Sequence, residues 1–388
     1  MILLDKPFIS QFLLNTLETN QIPVIQNEVV LGLDQDRNFN LVSADDAIRQ
    51  FNGSGYPLLY TNSENSISWI ENNLKHTNLP GKIRLFKNKV LFRDLLSDLF
   101  PEYFYKSVAF DSIEGLDVKN FPFPFIIKPA VGFFSLGVYQ VEHIGEWVET
   151  VRAIKSEISL IKDLYPPEVL HTGEFIIEEC INGDEFAIDC YFNKAGDPVV
   201  LNIMKHIFSS DKDVNDRVYI TSKEIIENYL GPVTAFLSEI GKRAVLSNFP
   251  AHVEVRIDEN GTVAPIEVNP LRFGGWCSTP DLAWHAFGIN LYEYVFQQKI
   301  PDWNTILQGK EDLIFSNIVL NNSTGTEGKN IISFDYEKLL AGFEKPLELR
   351  KTDYAKFPLF GFLFCETRKQ NMQELDRILM SDLNEFIG

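Results

Sequence analysis

The sequence predicts a multidomain α/β protein, and three observations carry that expectation. Its 388 residues exceed one ordinary domain. Short apolar runs alternate with helical patterns near the N-terminus, and far downstream an Asn-Gly pair between two alternating runs marks an antiparallel hairpin. Hydrophobic residues make up 45% and charged residues 23% of the chain, globular usage that excludes a disordered, collagenous or coiled-coil protein.

Thirty-five Lys and Arg against 54 Asp and Glu leave a net charge of −19. Such a surface repels nucleic-acid backbones and anionic membranes, yet it allows a small anion bound in a cleft by a few local cations and helix N-termini. Cys180, Cys190, Cys277 and Cys365 contain no Cys-x-x-Cys pair, so neither a disulfide framework nor a zinc cluster is expected. The opening residues carry charges and a proline where a signal peptide needs an apolar run, and no apolar stretch of about 18 residues occurs. The expected location is cytoplasmic, without a membrane or nucleic-acid partner.

Taken in order, residues 2–4 read as a strand, Ser10 as the cap of a helix with Phe12, Leu13, Leu14 and Leu17 inward, and residues 22–25 as a second strand. A run at 58–60 and a helix with Trp69, Ile70 and Leu74 complete a small α/β domain over residues 1–85. It has no Gly-x-Gly-x-x-Gly, which argues against a dinucleotide site. Leu91, Phe92, Leu95, Leu96 and Leu99 predict a helix opened by Lys87-Asn88-Lys89, where cations are unfavourable for the helix. Phe125-Ile126-Ile127-Lys128-Pro129 reads as a buried strand entering a small-residue loop at 130–138, and Phe175-Ile176-Ile177 as a strand ending in Glu178-Glu179. Mixed α/β pattern continues to about residue 300. A turn-rich patch at 321–330, strands around 357–364 and a helix on Leu375, Ile378, Leu379, Leu383 and Ile387 follow.

Three constellations carry chemistry. If Asn260-Gly261 is a two-residue turn, Glu259 pairs with Thr262, Glu254 with Glu267 and His252 with Asn269. Two directly opposed carboxylates destabilise a sheet unless a cation joins them, and oxygen ligands suit Mg²⁺. The plainer alternative is a solvated hairpin face neutralised by Arg256. Lys128 is costly to bury unless it meets an anion, and the small residues after it, with the Ser135 hydroxyl, free donors for phosphate; the alternative is a lysine reaching solvent before an ordinary turn. The stretch from Glu178 to Glu185 offers backbone groups to a base edge and a carboxylate to a ribose, or else is an acidic surface turn.

In this order and spacing the pieces resemble the ATP-grasp superfamily over residues 86–300, whose members include L-amino acid ligases, D-alanine:D-alanine ligase and biotin carboxylase. The resemblance implies an α+β ATP-grasp fold: a pre-ATP-grasp domain at 1–85, an ATP-grasp domain at 86–300 with a lid subdomain at about 110–178, and a C-terminal subdomain at 301–388. The central sheet is expected to be mixed or antiparallel. Lys89 and Lys128 look like the phosphate lysines, 130–138 like the lid loop carrying Ser135, Glu178, Glu179 and Ile181 like the adenine hinge, and Glu185 like the ribose carboxylate. Glu254, Glu267 and Asn269 look like the ligands of two Mg²⁺ ions, with Mn²⁺ as a substitute. Many members carry an arginine two residues after the metal-binding Asn. Here Arg272 comes one residue later, and it is assigned with Lys205 to catalysis, Arg217 being the other candidate for the γ-phosphate. Phe133 and Phe134 stand where biotin carboxylase has glycines, which favours the amino-acid ligase branch.

The reaction so implied joins a carboxylate, activated by ATP as an acyl phosphate, to an amine, with release of ADP and phosphate. Small-molecule carboxylate and amine substrates are the implied partners, and a homodimer is compatible. Alternatives are a carboxylate-thiol ligase, an ATP-grasp kinase, or a nucleotide-binding module without turnover. Trp276, Trp284 and His285 line the substrate pocket in one reading and form an aromatic core in the plainer one.

Overall fold

The computed structural model describes residues 1–33, 37–53, 57–132, 137–161, 171–210 and 215–388. The first sheet is parallel and holds β1 (Ile2–Leu3), β2 (Val24–Ile25), β3 (Leu41–Val42) and β4 (Tyr60–Thr61) in the order β3-β2-β1-β4. Ser10 caps the intervening helix Gln11–Thr19 by accepting from the Leu13 N–H, and that helix buries Leu13, Leu14 and Leu17. β4 runs into the turn that carries Glu64.

The second sheet is antiparallel: β5 (Tyr105–Ala109), β6 (Phe125–Val131), β7 (Tyr139–Val141) and β8 (His171–Glu179), in the order β5-β8-β6-β7. Alternation in β6 and β8 sends Phe125, Ile127, Phe175 and Ile177 into a core of their own, closed by Val151 and Ile154 of the helix Trp147–Ile161. Ile176 and Glu178 take the other face, which they share with Lys128.

The third sheet has eight strands: β9 (Asp184–Phe192), β10 (Pro198–Ile207), β11 (Val218–Ser222), β12 (Phe249–Ile257), β13 (Val263–Pro270), β14 (Leu313–Asn321), β15 (Lys345–Lys351) and β16 (Leu359–Arg368). Their order is β13-β12-β9-β10-β11-β14-β16-β15, with every pairing antiparallel. The helix Lys223–Ala244 packs on β10, Ser278–Phe287 on β14 and β16, and Leu79–Lys87 on β13. Residues 301–388 therefore do not build a sheet of their own; β14 to β16 extend the one that begins with β9.

Two local expectations are corrected. Lys87 closes the helix Leu79–Lys87, where the dipole favours a cation, and Asn88 both ends that helix and caps the next, Lys89–Leu96, by accepting from the Val90 and Leu91 N–H groups. The last helix stops at Met380, because Leu383 turns left-handed (φ 63°) and leaves Leu383 and Ile387 outside it. Among the described residues, no helix is long and apolar enough to cross a membrane.

Candidate active site

Glu254 and Glu267 stand opposite each other on β12 and β13, and His252 stands opposite Asn269. The turn that leads there differs from expectation. The Asp258 N–H donates to the Thr262 carbonyl (3.2 Å) and the Gly261 N–H to the Asp258 carbonyl (3.0 Å), while the Asp258 carboxylate accepts from the Asn260 and Thr262 N–H groups. The connection is thus longer than two residues, and Glu259 does not pair with Thr262. A bulge at Ile266 compensates, since Val255 faces Pro265 while Glu254 faces Glu267. A proline without an N–H is at home beside such a bulge.

The Asn269 amide donates to Glu254 (3.4 Å) and Glu267 (3.2 Å), and Lys89 Nζ lies 3.2 Å from Glu267 Oε2. Burial, with Glu267, Glu185 and Asp216 nearby, pushes the Glu254 carboxyl well above its ordinary range. Burial would raise Glu267 too, but Lys89, Lys87 and Lys128 outweigh it and hold that carboxyl well below. His252 leans on the pair, with Nε2 3.6 Å from Glu254 Oε1 and Nδ1 2.7 Å from Asp189 Oδ1; the same Asp189 oxygen accepts from the Gly274 N–H (3.1 Å).

Lys128 Nζ is 2.6 Å from Glu178 Oε1, and Arg93 Nε donates to Glu178 Oε2 at 2.8 Å. Burial would raise the Glu178 carboxyl, yet Arg93 and Lys128 hold it down to about 2. Burial also lowers the Lys128 ammonium, an effect Glu178 opposes only in part. The Glu178 side chain is therefore an internal counter-charge. In the hinge, the Glu179 N–H donates to the Phe104 carbonyl (3.0 Å), the Glu179 carbonyl accepts from the Tyr103 hydroxyl (3.2 Å) and the Ile181 carbonyl accepts from Arg256 (3.3 Å). Glu185 sits between Arg256 (3.2 Å) and His206 Nδ1 (3.2 Å), which outweigh burial and lower its pKa.

Residues 121–280 match the family model of the ATP-grasp domain. The chain carries an ATP-grasp domain. No curated protein matches the chain by sequence. Among solved structures it is similar to the L-amino acid ligase of Bacillus licheniformis at 18% identity and a TM-score of 0.69, covering all of this chain and 97% of that one. It is also similar to the biotin carboxylase of Campylobacter jejuni (12%, 0.63, 95% and 87%) and to the N5-carboxyaminoimidazole ribonucleotide synthetase of Thermotoga maritima (14%, 0.61, 97% and 96%).

On this ATP-grasp frame, Lys89, Lys128, Glu254, Glu267 and Asn269 meet where the second and third sheets approach each other. Arg272 joins them by an unusual route. Leu271 adopts φ 61°, a strained conformation for a non-glycine residue, with its N–H bonded to the Pro250 carbonyl and its carbonyl accepting from the Thr61 N–H (2.7 Å). Arg272 follows that turn and reaches Glu64 at 2.6 Å. Glu64 also holds Lys87 at 2.8 Å; burial would raise it, but the two cations keep its carboxyl at about 2.

Lys205 is not brought to the site. A bulge at Leu201 sets Asn202 opposite Asp189, so His206 faces Glu185 while Lys205 pairs with Phe186 on the helix-covered face and reaches Asp184 at 2.6 Å. Arg217 donates to Ser323 (2.9 Å) and the Ser381 carbonyl (3.3 Å). Ser135, Phe133 and Phe134 lie outside the described residues. Trp276 packs among Phe8, Phe357 and Phe362, as the aromatic-core reading expects, whereas Trp284 lies against Phe12 and His285 pairs with Glu348 (2.8 Å). Sequence reasoning missed Arg93, Lys87, Glu64 and His206. Lys87 had a usable signal, as a second lysine beside Lys89. Arg93 and Glu64 depend on partners distant in sequence, and His206 on the bulge in β10.

Proposed function

We propose that the protein is an ATP-dependent, ADP-forming carboxylate-amine ligase acting on amino acids or small peptides. The observation that carries this reading is the opposed pair Glu254 and Glu267 with Asn269, facing Lys89, Lys128 and Arg272. The donor set fits Mg²⁺: the ligands are oxygens, two carboxylates stand opposite each other with the Asn269 amide beside them, and such a set leaves positions for water and phosphate. When bound, two Mg²⁺ ions, or Mn²⁺ in their place, neutralise charge on the phosphates.

In this reading Lys89 and Lys128 hold the α- and β-phosphates, Glu185 accepts from the ribose hydroxyls, and the backbone of Glu179 and Ile181 meets the adenine edge. Arg272, fixed by Glu64, meets the γ-phosphate. A carboxylate oxygen of the substrate attacks the γ-phosphorus and ADP leaves; the amine then attacks the acyl carbon and phosphate leaves. Phosphoryl transfer asks for positioning and charge neutralisation, which these residues supply. The lid expected at residues 130–138 would keep water from the acyl phosphate; of these, Ala130 and Val131 belong to β6 instead of a loop, and 133–136 lie outside the described residues. The whole-length likeness to an L-amino acid ligase supports an amino-acid substrate.

The test is a screen of amino-acid pairs with ATP and Mg²⁺. ADP release that depends on both partners, with a new amide-linked product, is the expected result. Tight ATP binding without turnover across a broad carboxylate panel refutes the ligase, and a phosphorylated substrate as final product makes it a kinase.

A further inference from the structure

Arg93 is buried and joins three parts of the molecule. It rises from the helix Lys89–Leu96, one turn after Lys89, and its Nε donates to Glu178 on β8. Its Nη2 donates to the carbonyl of Ile266 (3.3 Å), the bulge residue that sets Glu267 opposite Glu254. Its guanidinium lies 5.3 Å from the Tyr103 ring, whose hydroxyl reaches the Glu179 carbonyl.

Glu178 thus spends one oxygen on each cation, Oε2 on Arg93 and Oε1 on Lys128. If Lys128 is to meet a phosphate, it must leave Oε1. A buried carboxylate stripped of its only partner is strongly unfavourable, so with Lys128 alone the pair would resist opening. With Arg93 in place the carboxylate keeps a charged partner throughout, and the lysine is free to exchange. We propose that Arg93 is a positioning residue of the nucleotide site: its fixed charge on Glu178 releases Lys128 to the phosphates, and its bond to Ile266 ties that exchange to the strand bearing Glu267. The proposal rests on the reading that Lys128 binds ATP.

The test is a double-mutant cycle on ATP affinity, measured by calorimetry with wild type, Arg93→Gln, Glu178→Gln and the double variant. Arg93→Gln should weaken ATP by about tenfold or more, because Lys128 is then locked to Glu178. Glu178→Gln should bind ATP at least as tightly as wild type, since both cations are freed. The double variant should return to within about threefold of Glu178→Gln, a coupling that distant or purely packing effects do not produce. If Arg93 only packs, the two effects add and the double variant is weaker than Glu178→Gln by the same factor that Arg93→Gln loses against wild type, and that result overturns the proposal; so does a Glu178→Gln protein that binds ATP more weakly than wild type. Should Arg93→Gln melt before it can be measured, Arg93→Lys replaces it, with affinity within about threefold of wild type expected and a tenfold loss counting against the proposal. A wild-type protein that binds no ATP removes the nucleotide reading itself, whereas ATP binding with additive losses removes only the role of Arg93.

Discussion

At the scale of single residues the site is a set of unequal charges. Glu254 and Glu267 face each other, but Lys89 sits on Glu267 and none of the three lysines on Glu254. Glu254→Gln should therefore leave the metal-free protein as stable as wild type or more so, while Glu267→Gln leaves Lys89 without its carboxylate and costs about 1–3 kcal/mol. Both should abolish Mg²⁺-dependent turnover. Melts and turnover on the same two proteins check this, and equal stability losses would contradict it. Glu64 gives an acid signature. Its carboxyl is held at about 2 against an ordinary 4.5, so the folded state binds fewer protons than the unfolded state between those values. Stability from Glu64 is complete above about 4.5 and lost as pH falls toward 2, of the order of 3 kcal/mol. Glu64→Gln should lose stability less steeply over that window, as denaturant titrations at several pH values would show; parallel curves would remove the ion pairs from the account.

Among elements, the turn between β8 and β9 is set by one close approach. Gly183 has φ +108°, and a Cβ there would lie 2.4 Å from the Ile257 carbonyl oxygen. Gly183→Ala should cost about 2–4 kcal/mol in denaturant unfolding, and a change below about 0.5 kcal/mol would mean the turn yields freely. The strands also explain what was readable from sequence. Alternation fixed the faces of β12 and β13, so Glu254 with Glu267 and His252 with Asn269 were legible even though the turn was misread: a longer connection and the bulge at Ile266 cancel. In β10 nothing cancels. Val199, Val200 and Leu201 form a continuous apolar run, so no periodicity announces the bulge, and a one-residue slip exchanges Lys205 for His206 on the site face. Arg93 and Glu64 were illegible for another reason: their partners Glu178 and Arg272 lie 85 and 208 residues away, and only the assembled sheets bring them into reach.

Over the whole molecule, the second sheet keeps a hydrophobic core separate from that shared by the other two. Phe175, fully buried in it, is a handle on that independence. Phe175→Ala should remove about 3–5 kcal/mol from the second sheet and speed amide exchange in β5, β6 and β8, while β9, β10 and β12 keep their protection. Uniform loss of protection would mean that the molecule unfolds as one unit. A further consequence concerns β13. It is one of the two edge strands of the eight, and a bare strand edge invites pairing with a neighbouring molecule. The helix Leu79–Lys87 lies over β13, and Arg93 from the following helix occupies the carbonyl exposed by its bulge. The segment that supplies Lys87, Lys89 and Arg93 thus also packs on this edge strand, and substitutions that loosen it should raise self-association, which light scattering would register.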